Sequence, residues 1–265
     1  MDTKISILGC GWLGLPLALR LITAGYIVKG STTTPAKLPL LAAAGIDAYL
    51  VQLGTDLSTS AQFFNSDILI INVPPGLRRQ SEEAYLASMQ ALVKQVELSP
   101  VKQVIFISST SVYKDMNQEI FDTDEVDIES ALYQSEQLFA QSKGFQTTVI
   151  RFAGLIGPGR NPSRFFAGKS NIPNGKAPVN LIHLDDCVGI IKAILAKQKF
   201  GDTYHAAAPS HPTRSEFYTL AAQNSGLPLP GFTDELTDWK LVNLSKNDNK
   251  LDYQFVHPDL LKIAD

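Results

Sequence analysis

The sequence predicts an α/β protein with a doubly wound parallel sheet and a small C-terminal lobe. Three observations support this fold class. Short β-rich runs alternate with longer helical runs through the first half of the chain, which is typical of a parallel sheet. Some strand-like runs are continuously apolar, as at Ile68–Ile71, which indicates strands that are covered on both faces. The first apolar run, Ile5–Leu8, continues directly into a glycine-rich turn that opens a helix.

Each element follows from apolar periodicity and from the residues that end it. Gly25 and Gly45 end the first two helices, and Ser81 begins the third. The predicted strands are Ile5–Leu8, Tyr26–Gly30, Ala48–Leu53, Ile68–Val73, Val104–Ser108, Thr147–Phe152, Asn180–His183 and Thr203–Ala206. The predicted helices are Leu15–Ala24, Pro35–Ala44, Ser81–Leu98, Ala131–Ser142, Asp185–Lys197 and Ser215–Asn224.

The character of the sequence changes after Ile156, where turn-rich stretches begin. We therefore predict a nucleotide-binding domain over residues 1–156, with residues 179–206 completing its sheet region. Residues 157–178 and 207–265 form the predicted small substrate lobe, whose mixed tail includes Trp239–Leu244.

Composition excludes several classes of protein. The 265 residues carry a net charge of -3 with no recurrent basic patch, so we expect no nucleic-acid partner. No apolar run of about 18 residues exists and no leader pattern opens the chain, so we expect neither a membrane span nor a signal peptide. The two cysteines, Cys10 and Cys187, have no metal-ligand spacing and form no disulfide framework, which favours a reducing cytoplasm.

The glycine-rich turn predicts a dinucleotide site. It reads Gly9-Cys10-Gly11-Trp12-Leu13-Gly14. In such a turn the first glycine makes the tight bend, the second lets the backbone approach a pyrophosphate, and the third lets helix and strand pack closely. The N–H groups at the start of the helix then face the phosphates. The alternative is an ordinary turn between a strand and a helix.

Four further stretches resemble the extended short-chain dehydrogenase/reductase superfamily of NAD(P)-dependent epimerases and dehydratases, and its atypical bacterial members in particular. They are Val104–Tyr113, Arg151–Gly159, Asn180–Asp186 and Gly201–His205. With the glycine turn they extend in order over residues 5 to about 220. The resemblance implies a Rossmann fold, a nicotinamide cofactor, a small-molecule substrate and a homodimer.

The same resemblance implies two catalytic residues, Ser109 and Tyr133. In the family a tyrosine is the general acid/base, and a lysine four residues later lowers its pKa. Here Gln137 occupies the lysine position and carries no charge. An alternative alignment, which matches Glu136-Gln137-Leu138 to the family, places Ile128 and Leu132 in the two catalytic positions. Both alignments remain open, and both lack the lysine.

The residues after the second strand bear on the choice of cofactor. An NAD enzyme usually has an acidic residue there, whereas this chain has Ser31, Thr32 and Thr33. These hydroxyls, with Lys37 nearby, favour NADP over NAD, although Thr32–Thr34 could equally be the N-cap cluster of the next helix. Asn72, Val73 and Pro74, after the fourth strand, complete the predicted cofactor-binding set.

We predict no metal site. His183 and Asp185 alternate at a strand end and Asp186 caps the following helix, and the resemblance implies that this motif ties the lobe to the sheet. His205, His211 and His257 show no ligand spacing. Arg160, Arg164 and Lys169, with two phenylalanines, suit an anionic substrate or form a solvated loop. The sequence thus predicts an NAD(P)-binding oxidoreductase or epimerase acting on a small, anionic or nucleotide-linked substrate. The alternative is a non-catalytic dinucleotide sensor or regulator.

Overall fold

The computed structural model describes residues 3–76, 80–243 and 251–263. Every predicted helix and strand is present there, with ends that shift by a few residues. The helices are α1 Gly14–Thr23, α2 Leu38–Ala43, α3 Glu82–Glu97, α4 Ala131–Ala140, α5 Leu184–Lys197 and α6 Arg214–Asn224. The strands are β1 Lys4–Leu8, β2 Ile27–Thr32, β3 Asp47–Leu50, β4 Ile68–Ile71, β5 Gln103–Ser109, β6 Gln118–Ile120, β7 Gln146–Phe152, β8 Gly154–Ile156, β9 Leu181–His183, β10 Thr203–Ala206 and β11 Lys240–Val242.

Seven strands form one parallel sheet in the order β10-β7-β5-β4-β1-β2-β3. Strand β1 lies between β2 and β4, with Ile5 paired to Val28 on one side and to Ile68 on the other. The chain order reverses direction across the sheet at the boundary between β1 and β4. Ligands of doubly wound sheets bind at the carboxyl ends of the strands at such a reversal. The predicted fold class, a doubly wound Rossmann-type sheet, is confirmed.

The apolar patterns place the core where the sequence predicts it. All four residues of β4 are buried, as expected for a strand that is covered on both faces. Helix α3 buries Tyr85, Met89, Leu92 and Val96, which share one helical face. Ser81 caps this helix, since its side chain accepts a hydrogen bond from Ala84 N at 3.2 Å.

Local differences from the sequence prediction have physical reasons. The segment Pro35–Ala44 is a 3₁₀ turn at Pro35–Lys37 followed by α2, because Pro39 has no N–H and is tolerated only in the first turn of a helix. The short strands β6 and β8 were not predicted, since three residues carry too little pattern. They pair with β11 and β9. Of the predicted tail segment, Leu244 lies outside the described residues.

The chain divides into two compact units. The first comprises Met1–Ser108, Asp127–Ile150 and Ile194–Thr203, and the second comprises Ser109–Val126, Arg151–Ala193 and Tyr204–Asp265. The division into a nucleotide-binding domain and a substrate lobe concerns function and stays a prediction. None of the helices in the described ranges combines the length and the hydropathy that a membrane span requires.

Candidate functional site

Two glycines of the turn after β1 are required by the protein's own packing. Gly9 has φ of 101°, and a Cβ on it would lie 2.5 Å from Asn72 O. A Cβ on Gly14 would lie 2.1 Å from Gly9 O, so only glycine lets α1 begin this close to the turn. Both positions therefore shape the turn itself.

Gly11 differs from these two glycines. Its φ is not positive, and a Cβ built on Gly11 would have no described neighbouring atom within 4 Å. The residue is also exposed. Neither backbone strain nor internal packing accounts for glycine here, and the open space beside it is what a phosphate needs in order to approach the main chain.

Side chains from two neighbouring strand ends hold the turn in place. Ser31, at the end of β2, accepts a hydrogen bond from Gly9 N at 2.9 Å through Oγ, and its carbonyl accepts one from Cys10 N at 2.8 Å. Asn72, after β4, donates from Nδ2 to Gly9 O at 3.0 Å. Ser31 and Asn72, which the sequence assigns to cofactor binding, thus support the turn on both sides.

The side chain of Cys10 points into the protein, and a Cβ on Gly30 would lie 2.6 Å from Cys10 Sγ. Burial raises the pKa of this thiol to about 11, so it is not a thiolate at neutral pH. Leu13 is buried as well, and Trp12 is half-buried. Cys10 and Leu13 can therefore offer a ligand their backbone rather than their side chains.

The start of α1 suits an anion. Leu13 occupies the N-cap position and provides no side-chain cap, and no acidic residue lies in the first turn. The first N–H groups of a helix have no acceptor within the helix and carry a partial positive charge. A phosphate placed there would be stabilised by both effects.

Among the hydroxyls at the end of β2 and just after it, Thr32 accepts a hydrogen bond from Thr34 N at 3.1 Å and is buried, whereas Thr33 and Thr34 are exposed. Thr34 is the N-cap residue of the following 3₁₀ turn but makes no side-chain cap bond. Lys37 is exposed, as is Pro74 after β4, while Val73 is half-buried. Thr33, Thr34 and Lys37 therefore offer polar side chains to solvent in this segment.

Helix α4 contains Tyr133 and Gln137 one turn apart, both half-buried. Ile128, the tyrosine position of the alternative alignment, precedes the helix and is 66% exposed. In the family the catalytic tyrosine and lysine lie one helical turn apart. Only the alignment to Tyr133 and Gln137 puts both positions in α4, because Ile128 of the alternative alignment precedes the helix. The neighbouring Glu136 is buried and accepts a hydrogen bond from Ser108 Oγ.

Ser109 ends β5, and its Oγ accepts a hydrogen bond from Ser111 N at 3.1 Å, which caps a 3₁₀ turn at Thr110–Val112. The hydroxyl proton is not used in that bond and can be donated to another acceptor. Ser109 belongs to the second compact unit and Tyr133 to the first. Their catalytic roles stay predictions.

Comparison with known proteins gives the family. The chain is 35% identical to Protein YeeZ of Escherichia coli K12 over 268 residues, covering 97% of each protein. The chain belongs to the YeeZ family. No family model matches it.

Solved structures agree with this YeeZ-family fold. UDP-glucuronic acid 4-epimerase from Bacillus cereus, in complex with NAD, superposes with a TM-score of 0.77 at 19% identity, over 98% of this chain and 93% of the epimerase. The human epimerase family protein SDR39U1, with NADPH, gives a TM-score of 0.69 at 17% identity, over 99% of both chains. At these identities the likeness shows the fold alone.

Within the second unit of this YeeZ-family chain, Tyr113 lies in a buried polar chain. Arg151 Nη1 donates to Tyr113 Oη, which lies 2.7 Å from His205 Nε2. His205 Nδ1 lies 3.1 Å from the carbonyl oxygen of Asn243, which can only accept, so Nδ1 carries the proton and Nε2 accepts from Tyr113. Burial lowers the pKa of His205, which keeps the ring neutral.

The basic loop forms an open cavity of about 710 Å³. Arg160, Asn161, Arg164 and Phe165 are among its lining residues. The two phenylalanines of this loop differ, because Phe165 is 66% exposed whereas the ring of Phe166 lies 4.7 Å from that of Tyr218. The cavity thus presents two cations and one apolar ring, which suits an anion that carries a flat or apolar group.

The structure also brings together residues that sequence spacing kept apart. His257 Nε2 lies 3.2 Å from Asp185 Oδ2, and the same oxygen lies 3.4 Å from His183 Nδ1. The Asp186 carboxylate accepts hydrogen bonds from Tyr253 and from the backbone of Val256 and His257. The sequence analysis set His257 aside, since a separation of 72 residues from Asp185 carries no spacing signal.

Proposed function

We propose that this chain binds a nicotinamide dinucleotide at the turn after β1, with the diphosphate on the backbone at Gly11 and at the start of α1. The observation that carries the proposal is the open space beside Gly11, which neither φ nor packing explains. The N-terminus of α1, without a side-chain cap or an acidic residue, supports it. So do the fold neighbours, which were solved with NAD or with NADPH.

We propose further that NADP is preferred to NAD. No carboxylate follows β2 to accept hydrogen bonds from a ribose 2′-hydroxyl, and Thr33 and Lys37 are exposed there. A 2′-phosphate would gain a hydroxyl donor and a cation from these two residues. Ser31 and Thr32 would act indirectly, since their hydroxyls accept hydrogen bonds from Gly9 N and Thr34 N.

Bound dinucleotide would supply hydride transfer, which supports an oxidoreductase or an epimerase. The chain's own contributions would be Ser109, donating its free hydroxyl proton to a substrate oxygen, and Tyr133, exchanging a proton with the reacting group. Arg160 and Arg164 would hold an anionic or nucleotide-linked substrate, such as a UDP-sugar. A cytoplasmic location and a homodimer stay predictions.

The second candidate function is a non-catalytic dinucleotide sensor. Gln137 favours it, because no lysine stands one turn after Tyr133 to lower the pKa of the phenol. Without such a cation a tyrosine is a weak base at neutral pH. A sensor would keep the glycine turn and would not need proton transfer.

Binding is tested by titrating the wild-type chain and the variants Gly11→Ala and Gly231→Ala with NADPH and NADH in a calorimeter. Gly231 is a matched control, since its φ is not positive and a Cβ there would lie 3.6 Å from the nearest atom. We expect Gly11→Ala to weaken binding by about tenfold or more, because the methyl group occupies the phosphate's space. Equal binding by all three proteins, or no binding by the wild type, contradicts the proposal.

Turnover separates the enzyme from the sensor. The wild type and Tyr133→Phe are incubated with NADPH or NADP and a panel of UDP-sugars and small carbonyl compounds, and products are identified by mass spectrometry. An enzyme that uses Tyr133 gives a product that the variant fails to form, while the variant still binds dinucleotide. Tight dinucleotide binding without turnover across the panel supports the sensor.

A further inference from the structure

We propose that His183, Asp185 and His257 form a binding site for a divalent transition-metal ion, with Zn²⁺ as the ion that best fits their geometry. All three belong to the second compact unit, and one ligand atom from each lies within 4.8 Å of the others. Two imidazoles and one carboxylate are a common ligand set for such ions. The inference is independent of the dinucleotide site.

The spacing of the donor atoms suits a tetrahedral ion. Asp185 Oδ2 lies 3.4 Å from His183 Nδ1 and 3.2 Å from His257 Nε2. Zinc bonds to nitrogen and oxygen are about 2.0–2.2 Å long, which puts two tetrahedral ligands about 3.4 Å apart. The ring centroids of His183 and His257 lie 3.9 Å apart, which is closer than two imidazoles on one tetrahedral ion stand. The two rings would therefore turn apart as the ion takes one nitrogen from each.

The protonation states suit metal binding. His183 Nδ1 accepts a hydrogen bond from Asp185 N at 3.2 Å, so this nitrogen is already deprotonated, as a metal ligand must be. His257 Nε2 faces a carboxylate oxygen and donates to it. An ion at Nε2 of a neutral His257 ring moves the ring proton to Nδ1, and it replaces the hydrogen bond to His183 Nδ1. Both imidazoles can therefore bind the ion as neutral ligands.

His257 is held at the site by a buried neighbour. The Asp186 carboxylate, which is fully buried, accepts from Val256 N at 2.7 Å, from His257 N at 3.0 Å and from Tyr253 Oη at 2.9 Å. Gly189 makes this approach feasible, because a Cβ there would lie 2.1 Å from Tyr253 Oη. The backbone of His257 is thus fixed beside Asp185 before any ion arrives, which lowers the entropic cost of assembling the ligands.

The site is open to solvent, so an ion can reach the three ligands. The side chain of Asp185 is 47% exposed and that of His257 is 26% exposed, so an ion can enter from solvent. Three protein ligands leave one tetrahedral position open to water or to a ligand. An ion held there would join the segment before Pro258 to the first turn of α5 and stabilise the folded chain against unfolding.

The experiment uses the full chain, stripped of metal with a chelator and titrated with Zn²⁺ by calorimetry. Co²⁺ serves as a spectroscopic probe of four-coordinate geometry. His257→Gln and Asp185→Asn remove one ligand each. His211→Gln and Asp234→Asn are matched controls, since His211 bonds to Val179 O and Asp234 pairs with Lys176.

We expect one ion per chain, and binding weakened by about tenfold or more in each ligand variant, with both controls unchanged. Saturating Zn²⁺ should raise the melting temperature of the wild type and of the controls, but not that of Asp185→Asn. Absence of stoichiometric binding by the wild type overturns the proposal, as does equal binding by His257→Gln. Should His257→Gln fail to fold in chelator, equal binding by Asp185→Asn and the wild type overturns it.

Discussion

Ser31 Oγ accepts a hydrogen bond from Gly9 N at 2.9 Å, and this bond joins the end of β2 to the first residue of the glycine turn. Ser31 is only 1% exposed, so water does not replace the bond easily. Asn72 holds the same residue from the other side through Gly9 O. The position of the turn therefore depends on two side chains, one at the end of each of the strands β2 and β4 that flank β1.

Replacing Ser31 tests this support. Ser31→Ala leaves the half-buried N–H of Gly9 without its acceptor, so the free energy of unfolding should fall by about 1 kcal/mol. Dinucleotide binding should weaken along with it. Urea unfolding and NADPH titration measure both effects. The control is Ser88→Ala, which removes a hydroxyl bonded to Ala84 O within α3 and should change neither stability nor dinucleotide binding. A Ser31→Ala protein as stable as the wild type would show that the bond between Ser31 and Gly9 contributes nothing.

Gly9 and Gly11 should respond differently to alanine. Gly9→Ala combines a positive φ with a Cβ placed 2.5 Å from Asn72 O, and should lower the free energy of unfolding by about 2 kcal/mol or more. Gly11→Ala meets no described atom within 4 Å and should change stability by less than about 0.5 kcal/mol. Denaturant unfolding of both variants checks the contrast. Equal destabilisation would mean that internal packing, rather than a ligand, accounts for Gly11.

Asp186 should matter far more for stability than Asp185. Asp186→Asn puts an amide where three donors converge on a buried carboxylate, and should lower the free energy of unfolding by about 2–4 kcal/mol. Asp185→Asn, at an exposed carboxylate, should cost little in metal-free buffer. Thermal unfolding and limited proteolysis around residue 257 measure the difference, and similar melting temperatures for the two variants would contradict it.

His205 should resist protonation. Burial lowers its pKa from 6.5, and the Arg151 guanidinium lowers it further, against the opposing effect of its bond to Asn243 O. Below pH 6.5 the unfolded chain takes up a proton that the folded chain refuses, so stability falls as the pH drops toward the folded pKa. The slope for one such group is at most about 1.4 kcal/mol per pH unit.

Ring-proton NMR measures the His205 titration directly, and chemical denaturation at pH 7 and below measures its effect on stability. The pKa of His211 is lowered by burial too, so His211→Gln isolates the part that belongs to His205. A His205 midpoint at or above 6.5 would contradict the expected direction.

Restoring a lysine one turn after Tyr133 tests the proposed catalytic role of this tyrosine. Gln137→Lys puts a cation at the position where the family carries its lysine. If the protein is an enzyme that uses Tyr133, this variant should raise turnover by about tenfold or more. Gln141→Lys adds the same charge a further turn away and should leave turnover unchanged. Mass spectrometry of the product measures both rates, and equal turnover by the two variants would contradict a catalytic role for position 137.

The doubly wound parallel sheet and the place of the glycine turn could be predicted from the sequence, because both depend on local patterns. Continuous apolar runs make buried strands such as β4, apolar residues on one helical face make α3, and Gly25 and Gly45 end helices where the backbone must leave the helical region. The roles of Gly9 and Gly14 follow from the same short stretch of chain.

Tertiary structure alone decided which distant side chains meet. Ser31 serves Gly9 across 22 residues, Tyr113 reaches His205 across 92, and His257 reaches Asp185 across 72. Periodicity reports only the hydrogen bonding and burial of nearby residues, whereas these contacts depend on how separate strands, helices and the tail pack in three dimensions. The sequence by itself determined the doubly wound sheet and the place of its glycine turn. The packing decided which side chains hold that turn and which residues lie around Asp185.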